Sequence, residues 1–131
     1  MVEAIFQDEV GIEEEEQPTW TLHVDGAVNA EGCGAGVVLT NHSQGVMTQI
    51  AISLLFQEKN KESEYEALIA GLELALTSPC TRLECFCDSE VVVNQVHGVY
   101  EARTGTLPQY HSRVMSLTPL FQQFVITAVP R

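Results

Sequence analysis

Basic residues are scarce in this chain: six Lys and Arg stand against 18 Asp and Glu, a formal net charge of −12 over 131 residues. That scarcity argues against tight, sequence-independent binding to nucleic acid, which depends on many cations displacing counterions from phosphates. Seven of the acids lie within the first 17 residues, which hold no Lys or Arg, and the remainder still carries −5. Cysteine is sparse too. Cys33, Cys80, Cys85 and Cys87 form no C-x-x-C pair and have no matching histidines, which argues against zinc and for buried, reduced thiols. No apolar run reaches membrane-spanning length. The start, Met1-Val2-Glu3-Ala4-Ile5-Phe6-Gln7-Asp8-Glu9, has the features of neither a signal peptide nor an Arg-rich transit peptide. The expectation is an intracellular protein, cytoplasmic or nuclear, with no membrane partner.

What is present is enough apolar material, 45%, for one folded domain. Residues 1–17, with the run Glu13-Glu14-Glu15-Glu16, read as an acidic tail or tether, and residues 18–131 as the domain. Thr19-Trp20-Thr21-Leu22-His23-Val24-Asp25 alternates as a strand that Gly26 ends. Residues 33–40 and 46–56 read as two further strands around the hairpin loop Asn41-His42-Ser43-Gln44-Gly45. A helix over 62–76 follows, stopped by Ser78-Pro79. Arg82 to Cys87 is a fourth strand. It leads into a helix over 88–98 closed by Gly98, although its valines cost helix propensity. Leu107, Tyr110, Val114, Leu117 and Phe121 keep a helical period that Pro119 ends or kinks. Residues 124–129 make a fifth strand. A meander followed by strand–helix alternation predicts an α/β fold with a mixed five-stranded sheet, three antiparallel strands and then parallel ones, flanked by helices.

At about 100° per residue, Glu62, Glu66 and Glu73 share one narrow edge of the middle helix, read as its wet edge. Glu64 falls on the opposite side, in line with Ala67, Leu68, Gly71 and Ala75. A carboxylate held there loses hydration and calls for neutralisation, hydrogen bonding or a cation. Alternatively, Glu64 frays into solvent in the first turn, where it suits the helix dipole. Asp25 ends the first strand and Asp88 follows the fourth. Each also has a plain structural reading, Asp25 as a turn opener with Gly26 and Asp88 as a helix N-cap. In an open α/β sheet, ligands gather beyond the strand carboxyl ends. If the first and fourth strands are parallel neighbours, the two aspartates emerge side by side and Glu64 leans over the same spot. Like charges brought together need a counter-charge. Oxygen donors of this kind suit Mg²⁺ or Mn²⁺.

Four stretches carry a family resemblance: Trp20-Thr21-Leu22-His23-Val24-Asp25-Gly26-Ala27; Gly34-Ala35-Gly36-Val37-Val38-Leu39; Glu64-Tyr65-Glu66-Ala67-Leu68-Ile69-Ala70-Gly71-Leu72; and Asp88-Ser89 with Val92-Val93-Asn94-Gln95-Val96 and Gly98. Together with Tyr100-Glu101-Ala102 and Val129-Pro130-Arg131, the chain resembles the ribonuclease H domain of plant gypsy-type long-terminal-repeat retrotransposon reverse transcriptases. The resemblance implies hydrolysis of the RNA strand of an RNA–DNA hybrid with two divalent ions, Mg²⁺ or Mn²⁺. Asp25, Glu64 and Asp88 match three of the family's four metal-binding carboxylates. Asp25 would bridge both ions, and Glu64 and Asp88 would complete the one on the leaving-group side. The resemblance also implies substrate contacts from Gly26, Asn60 and Ser89, with RNA told from DNA through its 2′-hydroxyls; Lys59 and Lys61, which depart from the family's pattern, could hold phosphates.

The departures matter equally. The family continues past Val129-Pro130-Arg131 into a last helix that bears its fourth carboxylate, so weak or absent activity is expected of a chain lacking it. That helix's absence would leave one sheet face to be covered by a second copy, by another protein, or by the segment containing Val2, Ile5, Phe6, Val10 and Ile12. Lys59-Asn60-Lys61 replaces Thr-Asn-Asn, and Glu90 replaces the usual Gln. A second hypothesis is therefore a non-catalytic, retroelement-derived interaction module. A third, an integrase- or resolvase-like enzyme, conflicts with the carboxylate order, because such enzymes place the Glu last.

Overall fold

The computed structural model describes residues 17–25, 28–29, 32–53 and 61–130, and not the side chains of 25, 28–29, 32–35 and 49–53. Its strands are β1 (Thr19–Asp25), β2 (Gly32–Asn41), β3 (Val46–Ser53), β4 (Arg82–Cys87) and β5 (Gln123–Ala128). Its helices are α1 (Lys61–Thr77), α2 (Glu90–Val96) and α3 (Leu107–Leu117). A two-residue strand, Val28–Asn29, pairs with the start of β2. Sheet order is β3-β2-β1-β4-β5, antiparallel through the first three and parallel from β1 to β4 and β4 to β5. The predicted mixed five-stranded sheet is what the chain forms.

The strand pattern sets the core. Leu22 and Val24 pair with Leu39 and Val37 on one side and Cys85 and Cys87 on the other, and all six are buried. All of them face α1, α2 and α3, which pack against one another over that side of the sheet. On the opposite face His23 stacks on Phe86 with ring centroids 5.0 Å apart. Among the described residues no helix covers that face, and Val125 is 42% exposed on the β5 edge.

Boundaries depart from expectation for local reasons. The helix after β4 is shorter than 88–98, because Ser89 caps it: its hydroxyl accepts from the Val92 amide at 3.3 Å. Asp88 is therefore not the N-cap. Gly98 closes the end as read, with φ +83° and its amide donating to the Gln95 carbonyl at 3.1 Å. At Pro119, α3 gives way to a 3-10 turn, Thr118–Leu120. The hairpin loop turns on Gly45 at φ +67°. The third strand is described to Ser53; its expected extension to 56 lies outside the described residues.

Glu62, Glu66 and Glu73 are not simply a wet edge. They accept from Thr106 Oγ1 at 2.5 Å, Tyr110 Oη at 2.6 Å and Arg113 Nη2 at 2.8 Å. The acidic edge of α1 is the seam onto which α3 docks. No helix among the described residues is long and apolar enough to cross a membrane.

Candidate active site

The site is built at the carboxyl ends of β1 and β4. Parallel register runs from Thr19↔Arg82 to Val24↔Cys87. Asp25 and Asp88 are the next residue on each chain segment, so the backbone brings them to neighbouring positions about 5 Å apart, one interstrand spacing. Short β1 ends there, and β4 turns at once into the Ser89 cap of α2. The side chain of Asp25 lies outside the described residues.

Glu64 comes from above. In α1 it sits in the first buried turn and is 3% exposed, so the solvent-frayed alternative is overturned. The helix lies close to β1, because Gly71 lacks a side chain: a Cβ there would meet Leu22 Cδ2 at 2.8 Å. That approach brings the N-terminal turn of α1 down to the sheet.

Cys87 reports on both described carboxylates. A hydrogen bond with Cys85 and burial hold its thiol well above the ordinary range, and the charges of Glu64 and Asp88 push it further. One sulfur at the end of β4 therefore feels both acids. Cys85 and Cys87 lie on the same buried face, Sγ atoms 4.0 Å apart, and Cys80, Cys85 and Cys87 are free thiols as expected.

Of the expected substrate contacts, Ser89 is the α2 cap and Lys61 the exposed first residue of α1. Gly26, Lys59 and Asn60 lie outside the described residues. Among described side chains, which omit that of Asp25, no three of His, Cys, Asp or Glu form an ion-holding cluster. What the sequence reading missed is the support beneath the acids. Tyr65 Oη donates to Gln95 Oε1 at 2.6 Å in the core, joining α1 to α2. Burial pushes that phenol up to about 12. An ordinary core tyrosine gives no hint in sequence of a polar partner 30 residues away.

The family model described as "Reverse transcriptase-like" matches residues 23–131. A curated relative, ribonuclease HI of Halobacterium salinarum, is 30% identical over 111 residues, covering 83% of this chain and 55% of the relative. The chain thus spans about half the length of that relative. The crystal structure of ribonuclease H1 from the same halophilic archaeon superposes with a TM-score of 0.72 at 28% identity, covering 86% of each chain. That of LC11-RNase H1 in complex with RNA/DNA hybrid gives 0.66 at 26%, again over 86% of each.

Proposed function

The chain belongs to the reverse transcriptase-like family, and on that premise we propose that it hydrolyses the RNA strand of RNA–DNA hybrids with divalent metal ions held by Asp25, Glu64 and Asp88. One observation carries the reading: the parallel register that ends at Val24↔Cys87 and brings Asp25 and Asp88 to adjacent strand ends.

The donor set fits the ions. Carboxylate oxygens are hard ligands suited to Mg²⁺ or Mn²⁺. A pair of such ions, when bound, supplies an activated water and charge stabilisation at the departing 3′ oxygen. The chain's own residues do the holding. The β1–β4 register fixes two aspartates, and burial of Glu64 keeps its carboxylate from being lost to bulk water. Gly26, Lys59, Asn60, Lys61 and Ser89 would contact the hybrid, whose 2′-hydroxyls mark the strand to be cut. LC11-RNase H1, whose structure holds such a hybrid, supports that substrate class. Descent from a plant gypsy-type retrotransposon rests on the four sequence stretches alone.

The test is single-turnover cleavage of a labelled RNA–DNA hybrid in Mg²⁺ and in Mn²⁺, with calorimetric Mn²⁺ binding measured alongside. We expect cleavage of the RNA strand only, lost in Asp25→Asn and Asp88→Asn. No cleavage in either ion, with Mn²⁺ binding no stronger than in Asp25→Asn, overturns the reading. The sheet face bearing His23 and Phe86, which no described helix covers, favours a second reading as a protein-interaction module. An inert chain that is a stable homodimer by light scattering would support it.

A further inference from the structure

One buried polar bond joins the two helices that lie next to the candidate acids. Tyr65 follows Glu64 on α1, is 0% exposed, and donates to Gln95 Oε1. Gln95 belongs to α2, the helix that opens directly after Asp88 and Ser89, and is 4% exposed. Its amide is held at the other end too, Nε2 donating to the Glu101 carbonyl at 3.5 Å. Its backbone carbonyl meets His111 Nε2 of α3 at 2.9 Å. The Tyr65 ring stacks on Tyr110, centroids 6.0 Å apart.

Around this bond the core is apolar, with Leu68, Leu72, Val92 and Val96 buried. Apolar contacts tolerate sliding and rotation, whereas a buried donor and acceptor allow one arrangement, since any other leaves a polar atom unpaired. The constraint matters because α2 has seven residues, four of them valine, and is too short to hold its own place.

We propose that Tyr65 and Gln95 are positioning residues, their hydrogen bond fixing where α2 starts relative to α1 and so the spacing of Asp88 from Glu64 around a divalent ion. The inference rests on the metal-dependent reading above.

Mn²⁺ alone is the probe, titrated calorimetrically into the full chain without nucleic acid. Tyr65→Phe keeps the ring and its stacking, Gln95→Met keeps the volume, and Leu117→Val on α3 is a control that destabilises elsewhere. Removing an outer partner of metal ligands weakens binding 10–100-fold as a rule, and for this less direct link we expect about tenfold in each variant. The double variant is expected to lose no more than either single one, because both remove the same bond. In hybrid cleavage kcat falls and recovers at high Mn²⁺ while KM stays, and Leu117→Val lowers Tm with unchanged Mn²⁺ affinity. Mn²⁺ affinity within about twofold of wild type in both core variants overturns the proposal, as does an equal loss in Leu117→Val. A wild-type chain that binds no Mn²⁺ overturns the functional reading itself, which separates the two failures.

Discussion

Glu64 holds a position that a carboxylate almost never takes without a partner: 3% exposed, on the face of α1 that packs on the sheet. Its charge and that of Asp88 both raise the Cys87 thiol, so two like charges act on one buried sulfur at the end of β4. Glu64→Gln should abolish the stability gain that Mg²⁺ gives the wild type, measured by paired urea denaturations with and without the ion. Gly71 supplies a second residue-scale prediction. Alanine there gains about 1 kcal/mol of helix propensity, but its Cβ would press on Leu22, itself 0% exposed, at 2.8 Å. Overpacking of that kind costs about 1–3 kcal/mol, so we expect Gly71→Ala to be net destabilising by about 1 kcal/mol, with Leu22→Val in the same chain relieving part of it. Glu64 was legible in the sequence because it interrupts an otherwise apolar arc, whereas Gly71 read only as one more member of that arc. Tyr65 was not legible, since a tyrosine among leucines reads as plain core until the partner of its hydroxyl is known.

At the level of elements, periodicity assigned polarity to each helix face but not what the face would meet. The acidic edge of α1 looked wet because Glu62, Glu66 and Glu73 line up on one side of the helix; their partners arrive 40 or more residues later, at the cap of α3 and along it. These three bonds should differ in weight. Arg113 and Glu73 are each about half exposed, so Arg113→Ala should cost at most about 0.5 kcal/mol. Tyr110→Phe, which removes a charge-assisted bond from a half-buried hydroxyl, should cost about 1.5 kcal/mol. Urea denaturation of the two variants tests that ranking. The same hydroxyl predicts an alkaline limit. Its bond to Glu66 pushes the Tyr110 phenol from 10.0 up to about 12, and burial does the same to Tyr65. A folded value above the unfolded one means the stabilisation is complete below about pH 10 and disappears as pH rises through about 12. In Tyr110→Phe that alkaline loss should be shallower, measured as the denaturation midpoint against pH.

For the whole molecule, strand direction, though not the adjacency of β1 and β4, was legible from connection lengths. Short links join β1, β2 and β3 and require antiparallel pairing, whereas β4 and β5 are each reached through helices and run parallel to their neighbours. The charge inventory makes the final prediction. On the proposed function, a chain of −12 must take most of its grip on a polyanion from a few contacts near the site, because only six Lys and Arg exist and Arg113 is engaged with Glu73. Each neutralised phosphate contributes a slope of about −0.9 to the log–log dependence of affinity on salt, so two or so contacts give a slope no steeper than about −2. Fluorescence anisotropy of a labelled hybrid in Ca²⁺, over a range of KCl, reads that slope directly. Glu13, Glu14, Glu15 and Glu16 carry four of the negative charges, and replacing all four with Gln should speed association at low salt, an effect that fades as the Debye length shrinks. A slope steeper than about −4 would mean that more cations engage the hybrid than this surface can bring together.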